Sequence, residues 1–303
     1  MNKPPNPEHG SAKTSQVIGF YAWRGNWPVL CGAEFPRVDP PRGALDLITR
    51  VPVVWFSLDE TGELVTANDY ALRPRGWETV VRECGRHRIP VDMTVAYLDG
   101  PRLEPVLADR VRVDRMVAGI VREAAPFAGV NLDLEGLGNK SNHDFNSLAA
   151  VRRNFTRLVR QLAGELAPRG KELHLCLHPL NSWFQGYDYA ALSRAADALI
   201  SMSYHYGPTP EPLDKVEESV CLALKAGVSP EKLVLGLLIL KPYETPETIG
   251  PKLALVRRYG LGGIALWKLS FMHEEYKKVL REWRNQYVGG QSSVGYRIPT
   301  TDD

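Results

Sequence analysis

Short runs of aliphatic and β-branched residues alternate along the chain with longer segments whose apolar residues recur every three or four positions. The short runs have the length of strands, and the longer segments have the apolar stripe of helices that cover a sheet. Eight strands are predicted, at residues 16–23, 52–58, 91–96, 129–135, 173–178, 198–204, 233–239 and 263–267. The order strand, helix, strand therefore continues from one end of the chain to the other.

The clearest helical stripe follows the fourth predicted strand, where apolar residues from Leu148 to Leu166 mark one face. Shorter stripes occupy residues 116–121, 216–224 and 253–259. Each helix between two strands returns the chain across the sheet, so neighbouring strands are expected to pair in parallel.

Eight strand–helix units within about 250 residues match the size of a (β/α)8 TIM barrel. We therefore expect an α/β fold of this type, in one domain over residues 16–287 without a large insertion domain. A doubly wound open sheet is the alternative, although no GxGxxG motif follows the first strand. Residues 1–15 and 288–303 lack periodicity and are expected to be disordered tails. The proline-rich residues 36–41 are expected in a long loop after the first strand.

The composition excludes some partners. The chain has 37 basic and 35 acidic residues and a formal net charge of +2, without long runs of one sign. Nothing therefore indicates binding to nucleic acid or to a membrane. Four arginines cluster on the helix after the fourth strand, opposite its apolar stripe, and are interpreted as a solvated face: Arg152, Arg153, Arg157 and Arg160. The sequence does not predict an oligomeric state.

The four cysteines, at positions 31, 84, 176 and 221, show no CxxC spacing and are expected to be reduced core thiols. No apolar stretch precedes Val17, so no signal peptide is expected in this chain.

The fourth predicted strand carries the candidate chemistry. Asn131, Asp133 and Glu135 alternate with aliphatic residues, so the three polar side chains share one face of the strand. Acids exposed on a half-buried strand would show the same alternation. In a barrel, however, Glu135 would lie at the carboxyl end of its strand, where functional side chains gather, with Asn131 and Asp133 pointing into the barrel beneath it.

Two carboxyl groups on one strand face repel each other when both are ionised, so one of them tends to keep a proton at neutral pH. A protonated glutamic acid is what general acid catalysis requires. Asp133 and Glu135 would share the barrel mouth with His178 and His205, but the spacing of these residues matches no metal-ligand motif. We therefore expect neither a metal nor a cofactor.

Residues 128–135, AGVNLDLE, resemble the DGxDxDxE pattern on the fourth strand of glycoside hydrolase family 18, the chitinase-like family. The last two acids are retained, whereas Ala128 and Asn131 replace the first and second aspartates. The form GVNxDxE followed by Gly136 is similar to the subgroup that includes spore-cortex-lytic N-acetylglucosaminidases. In that subgroup an asparagine at this position does not indicate an inactive enzyme.

Four further segments resemble other strands of the family, in the same order, so that the likeness covers residues 17–283. They are VIGFY at 17–21, SMSYHYG at 201–207, SPEKLVLG at 229–236 and GGIALW at 262–267. Two departures accompany them. His205 stands where the family has Asp or Glu, and residues 237–240 replace the Pro and Tyr often found there.

The resemblance implies a mechanism. Glu135 would act as general acid and base, and the 2-acetamido oxygen of the substrate would attack the anomeric carbon with net retention. Asp133 would orient that amide, Tyr204 would donate a hydrogen bond to it, and Trp267 would form an apolar floor under the sugar. The predicted substrate-binding residues are Asn131, Trp267, His205, Met202 and Tyr21. Taken alone, Trp267 also suits barrel core and Tyr204 strand packing.

The expected function is therefore a retaining glycosidase that cleaves N-acetylglucosaminyl linkages. Peptidoglycan or cortex fragments are the first choice of glycan, and chitin oligosaccharides the second. The alternative is a catalytically weak or silent, lectin-like carbohydrate-binding barrel, and a metal-dependent barrel hydrolase is a third possibility. The expected location is cytoplasmic or spore-associated, with secretion only if a leader was removed.

Overall fold

The computed structural model describes residues 15–22, 26–32 and 43–289 of the protein. The predicted tails lie almost entirely outside these ranges. The loop predicted at 36–41 and Trp23, the predicted end of the first strand, also lie outside them.

Nine strands form within the described ranges, and eight of them correspond to the predicted strands. They are β1 (Gln16–Gly19), β2 (Val51–Leu58), β3 (Leu64–Val65), β4 (Val91–Tyr97), β5 (Gly129–Leu134), β6 (Glu172–Leu177), β7 (Ala198–Met202), β8 (Leu233–Leu238) and β9 (Gly263–Trp267). The short β3 pairs antiparallel with the end of β2 and was not predicted, because two residues are too few to show a period. The first strand is shorter than predicted.

The strands form one curled sheet in the order β1-β9-β8-β7-β6-β5-β4-β2-β3, and all its pairings except β2 with β3 are parallel. Isolated parallel bridges also join the first strand region to β2, one between Ile18 and Arg50 and one between Tyr21 and Val53. This topology is consistent with a TIM-like barrel.

Helices between the strands cover the outside of the sheet. They are α1 (Asn26–Cys31), α2 (Glu78–Arg86), α3 (Gly100–Ala108), α4 (Arg110–Glu123), α5 (Phe145–Leu166), α6 (Tyr189–Ala195), α7 (Leu213–Lys225), α8 (Ile249–Arg258) and α9 (Glu274–Gly289). The stripes predicted at 116–121, 148–166, 216–224 and 253–259 lie in α4, α5, α7 and α8, respectively. None of the helices in the described ranges is long and apolar enough to cross a membrane.

The apolar core has two parts, as alternation along the strands requires. A larger cluster, with Trp55 and Phe155, packs the strands against the helices. A smaller cluster of mostly short side chains, with Val54, Ala96 and Ala265, fills the space enclosed by the strands. The interior beneath the strand ends is therefore packed, as in barrels whose site lies at the mouth.

The cysteines are all free. Cys31, Cys84 and Cys176 are buried, which confirms the expectation of core thiols for these three. The expectation is wrong for Cys221, which is exposed on α7. Its position within the helical pattern did not show which face it occupies.

A buried ionic cluster lies near the amino-terminal ends of the central strands. Arg50 donates to Asp92 from Nε at 2.5 Å and from Nη2 at 2.8 Å, and Asp92 is fully buried. The ring of His174 lies 3.6 Å from both Asp92 and Glu172, and Arg50 also pairs with Glu172. The hydrogen bond from His174 and the charge of Arg50 lower the pKa of Glu172 to about 2.

Replacing Arg50 with methionine is expected to destabilise the fold by about 3–5 kcal/mol, because it leaves the buried Asp92 carboxylate without its counter-charge. Urea unfolding at pH 7 measures the change. A second substitution, Asp92→Leu, should recover most of the loss by removing the buried charge. A loss below about 1 kcal/mol for the single variant would contradict the assigned role.

Candidate active site

A cleft of about 1040 Å³ opens at the carboxyl ends of the strands. Six of the eight predicted site residues line it: Asp133, Glu135, Met202, Tyr204, His205 and Trp267. The structure does not bring Asn131 or Tyr21 into that lining.

Glu135 is the first residue after β5. Its backbone N–H donates to the carbonyl oxygen of Tyr97 at 2.8 Å, so the residue stays aligned with the sheet. The chain then turns at Gly136, whose φ of +76° is in the left-handed region that glycine adopts without strain. The Glu135 side chain is 26% exposed to the cleft, and its Oε2 lies 3.2 Å from Nε2 of His178. The carboxyl group is therefore both held and accessible.

Asp133 lies two residues earlier on the same strand face and is only 6% exposed. Its Oδ1 is buried, without a hydrogen-bond partner among the described residues. Burial, together with the nearby charge of Glu135, raises the Asp133 pKa well above its ordinary value. The Asp133 carboxyl group therefore holds its proton more tightly than an exposed aspartic acid does, while Glu135 is the acid of the pair that faces the cleft.

Asn131 lies two residues before Asp133 on the same face of β5 and is fully buried. Its Nδ2 lies 3.4 Å from Sγ of Cys176 on the adjacent β6. Asn131 thus belongs to the packed interior, and the prediction that it binds substrate is corrected. The alternation placed it on the right face, but depth within the barrel is not visible in that pattern.

Tyr21 is also corrected. Its ring is fully buried and packs edge-on against Trp55, with 5.6 Å between ring centroids, in the layer between strands and helices. The preceding residue, Phe20, faces the barrel interior instead and packs against Trp267 at 5.6 Å. Since neighbouring side chains point to opposite faces, only one of the pair can approach the cleft.

Tyr204 follows β7 by two residues. Burial raises its pKa well above the ordinary value, and the negative charge of the nearby Glu135 adds to the effect. The phenol therefore keeps its proton and is a hydrogen-bond donor at any physiological pH.

His205 has a φ of +65°, and its ring lies between Tyr204 and Tyr243, with 5.2 Å to each ring centroid. Its backbone N–H donates to Oε1 of Glu211 at 2.7 Å, and the N–H of Tyr206 donates to Oε2 at 3.1 Å. The buried Glu211 carboxylate thus holds the unusual backbone turn that follows Tyr204.

Trp267 ends β9 and lines both the cleft and a small cavity beneath it that also touches Asp133 and Met202. Next to it, the buried ammonium group of Lys268 lies 5.9 Å from the Trp267 ring centroid. Burial lowers the Lys268 pKa to about 8. The indole therefore offers an apolar surface next to the carboxyl groups.

Several lining residues were not predicted as substrate-binding, among them His178, Trp183 and Phe184. The His178 ring packs against the Phe184 ring, with 4.3 Å between centroids. The backbone carbonyl oxygen of His178 accepts a hydrogen bond from the Tyr189 hydroxyl at 3.0 Å. Trp183 is 69% exposed at the rim. The sequence did contain one indication that His178 lies in the cleft. It ends a predicted strand, as Glu135 does.

Within residues 15–22, 26–32 and 43–289, no group of three or more His, Cys, Asp or Glu side chains is arranged to hold a metal ion. His178 and His205 share the cleft with Asp133 and Glu135, and Nε2 of His178 lies 3.2 Å from Oε2 of Glu135.

The curled parallel sheet and the cleft at its carboxyl edge define the class of the protein as a TIM-like α/β barrel. Among solved structures, the chain is similar to a chitinase from Chromobacterium violaceum ATCC 12472, with a TM-score of 0.71 and 19% identity over 89% of this chain and 98% of that one. It is similar to the GH18 chitinase ChiB of Flavobacterium johnsoniae, with a TM-score of 0.66 and 17% identity over 91% and 95% of the two chains.

It also resembles the Bacillus cereus spore cortex-lytic enzyme SleL, with a TM-score of 0.70 and 14% identity over 90% of this chain and 75% of that one. No family model matches the chain, and no curated protein sequence matches it. The protein thus has a family 18 chitinase-like fold. At these identities the likeness establishes the fold alone, and the function has to be argued from the cleft.

Proposed function

We propose that the protein is a retaining glycoside hydrolase that cleaves N-acetylglucosaminyl linkages by substrate-assisted catalysis. The observation that carries the proposal is the pairing, on one strand face, of a partly exposed Glu135, 3.2 Å from Nε2 of His178, with a buried Asp133 whose pKa is raised. The printed names of the structural neighbours, chitinases and a spore cortex-lytic enzyme, agree with this chemistry. Peptidoglycan or cortex fragments are the first candidate substrates, and chitin oligosaccharides the second.

Glu135 is the proposed general acid and base. Three acids line the cleft, and Asp133 is buried while Asp214 is exposed near the start of α7. Only Glu135 joins access to the cleft with a fixed partner in His178. A positioned carboxyl group that alternates between giving and taking a proton accelerates such cleavage by about 10²–10⁴-fold.

Asp133 is a poor candidate for an enzyme nucleophile, because it is buried beneath Glu135 and its raised pKa disfavours the ionised form that a nucleophile needs. The attacking group is therefore assigned to the substrate's own 2-acetamido oxygen. Its bond to the anomeric carbon forms as the glycosidic C–O bond breaks and Glu135 gives its proton to the leaving oxygen. Water then opens the oxazolinium ion and returns a proton to Glu135, with net retention.

The remaining proposed roles follow from position around the acetamido group. Asp133 orients the amide from below, and Tyr204 donates its hydroxyl hydrogen to the acetamido oxygen. Trp267 forms the apolar floor under the sugar ring. Met202 and His205 complete the same wall of the cleft.

The proposal includes a closed eight-stranded barrel in a single domain. The bridges from Ile18 to Arg50 and from Tyr21 to Val53 support closure between the first and second barrel strands. The Tyr21 N–H also donates to the Pro52 carbonyl oxygen at 2.8 Å.

The proposal is tested by incubating the protein with aryl N-acetylglucosaminides, chitin oligosaccharides and purified cortex peptidoglycan. Fresh product should carry the retained anomeric configuration in NMR spectra, and a thiazoline analogue of N-acetylglucosamine should inhibit. Binding of glycan without cleavage would favour the lectin-like alternative. Cleavage that a chelator abolishes would favour a metal-dependent hydrolase instead.

His178→Leu is expected to lower kcat by about tenfold or more with little change in KM, because the variant loses the 3.2 Å partner that orients Glu135. His178→Gln, which keeps a hydrogen-bonding side chain, should retain more activity than the leucine variant. His87→Leu, at an exposed position remote from the cleft lining, is the control. Equal losses for leucine at 178 and at 87 would contradict the positioning role.

A further inference from the structure

A second cavity lies on the flank of the barrel, beside α5 and the start of α6. It is an open groove of about 760 Å³. Arginines and other polar side chains of α5 supply most of its wall: Arg152, Arg153, Thr156, Arg157, Arg160 and Gln161. We call this surface the arginine groove. None of its residues lines the cleft that contains Glu135.

The arginines form a row. Arg153, Arg157 and Arg160 are spaced four and three residues apart, which places them on one face of α5. At a rise of 1.5 Å per residue the row extends about 10 Å. Among the described residues, no carboxylate forms an ion pair with Arg152 or any of these three. Four cationic groups thus line the groove without a direct carboxylate partner among the described residues.

Two of the guanidinium groups are fixed in place by backbone carbonyl groups. Arg152 Nε donates to the oxygen of Gln185 at 2.7 Å, and Arg157 Nη2 donates to the oxygen of Leu107 at 2.6 Å. Each anchored group still carries further N–H donors. Because the side chains are already ordered, binding a ligand would cost less conformational entropy than it would on freely moving surface arginines.

Two buried polar atoms of the groove residues lack any partner among the described residues. Thr156 is 6% exposed, and its Oγ1 makes no hydrogen bond; Nε of Arg157 is buried and equally unpaired. Buried polar groups are satisfied in the great majority of native structures, so an unpaired hydroxyl and an unpaired N–H beneath the arginines are unusual.

We propose that the arginine groove binds a small molecule carrying two or more phosphate groups. Guanidinium groups hold phosphate through paired, charge-assisted hydrogen bonds, and the row is long enough for more than one such group. The groove has the volume of a small-molecule site. The exposed guanidinium groups of Arg153 and Arg160 would donate to the phosphate oxygens.

Carboxylates limit how far an anion can extend. Asp188 lines the groove, where its Oδ1 accepts from the Ala191 N–H at 2.9 Å. Asp114 accepts from Gln161 Nε2 at 2.8 Å. A long phosphodiester chain would have to pass these negative groups, which favours a compact ligand. The site is independent of the proposed hydrolysis, because none of its residues lines the cleft.

Isothermal titration of the full chain with tripolyphosphate, a hexose bisphosphate, inorganic phosphate and citrate tests the proposal at 0.15 M salt. We expect one site per chain that binds tripolyphosphate or the bisphosphate at least tenfold more tightly than inorganic phosphate or citrate. Tighter binding of tripolyphosphate would indicate a bare oligophosphate as the natural ligand, and tighter binding of the hexose bisphosphate would indicate a phosphorylated sugar. No saturable binding of either would overturn the proposal.

Arg153→Glu/Arg160→Glu should weaken this binding at least tenfold, while Arg75→Glu/Lys278→Glu, with the same change of net charge at exposed positions elsewhere, should leave it unchanged. Equal weakening in the control pair would overturn the site. So would tighter binding of a single-stranded DNA oligomer than of tripolyphosphate.

Glycan hydrolysis by Arg153→Glu/Arg160→Glu should match that of the unaltered protein. Because the titrations contain no glycan, phosphate binding can fail while hydrolysis is found, and hydrolysis can fail while phosphate binding is found. The two proposals are therefore judged separately.

Discussion

Glu135→Gln is expected to lower kcat for cleavage of N-acetylglucosaminyl linkages by about 10²–10⁴-fold. Glutamine has the shape of the protonated acid and can still bond to His178 at the observed 3.2 Å position. It cannot transfer a proton to the leaving oxygen. The loss should therefore appear in kcat, with KM nearly unchanged, in steady-state assays on chitin oligosaccharides.

The leaving group provides an internal check. An aryl glycoside with a strongly acidic phenol needs little protonation, so Glu135→Gln should lose less activity on it than on a natural glycan. Asp214→Asn removes the exposed acid of the same cleft and serves as the matched control, with an expected change below about threefold. Activity that survives Glu135→Gln but disappears in Asp214→Asn would reject the assignment.

Asp133→Asn is expected to reduce kcat by about 10²-fold and, at neutral pH, to stabilise the fold by about 1 kcal/mol or more. Burial and the charge of Glu135 raise the pKa of Asp133, so the folded state holds its proton more tightly than the unfolded state. At acid pH both states are protonated and the difference vanishes. As pH rises above the ordinary carboxyl range, the unfolded state ionises and stability falls, and asparagine removes that loss.

Urea unfolding at pH 4 and pH 7.5 measures this effect. The stability gained by Asp133→Asn should be larger at pH 7.5. Asp92→Asn is the matched control, since Asp92 is also a buried strand aspartate but is paired with Arg50, so its replacement should destabilise. Destabilisation of Asp133→Asn at pH 7.5, or an equal effect at both pH values, would show that Asp133 is not the buried acid inferred here.

The strand pattern was sufficient to predict much of the fold. Residues 263–267 form β9 as predicted, and the fourth barrel strand begins at Gly129 as predicted. The first strand was less predictable, because hydrophobic residues at both Phe20 and Tyr21 hide which one faces the interior. The two-residue β3 carries no periodic signal at all.

Site residues could be predicted from the sequence where a polar or aromatic side chain stands at the end of a predicted strand. Asp133, Glu135, Tyr204 and Trp267 line one cleft, as the pattern and the family resemblance indicated. The partner of Glu135 was not predictable in this way. Asp133 is opposite Cys176 in the sheet, so two residues later Glu135 and His178 meet. That register depends on how two strands pair, which no single-strand pattern contains.

The contact that holds the turn at His205 and the arginine groove could not be predicted, because both are formed by residues that meet only in the folded chain. The family acid is absent at His205, and the carboxylate that holds this turn comes from Glu211, six residues further along the chain. The arginines of α5 alternate with its apolar stripe as a solvated face would. The adjoining wall and the orphaned Thr156 hydroxyl, which suggest a groove, appear only in the folded chain.

The turn after Glu135 also limits how this protein can be altered. A Cβ on Gly100 would lie 2.1 Å from the carbonyl oxygen of Gly136, and one on Gly136 would lie 3.0 Å from the Gly100 nitrogen. Two loops from different strands therefore meet backbone to backbone. Loop grafting or directed evolution aimed at new glycan specificity must keep both glycines or replace both loops together, whereas the side chain of Trp183, which is 69% exposed, can be varied alone.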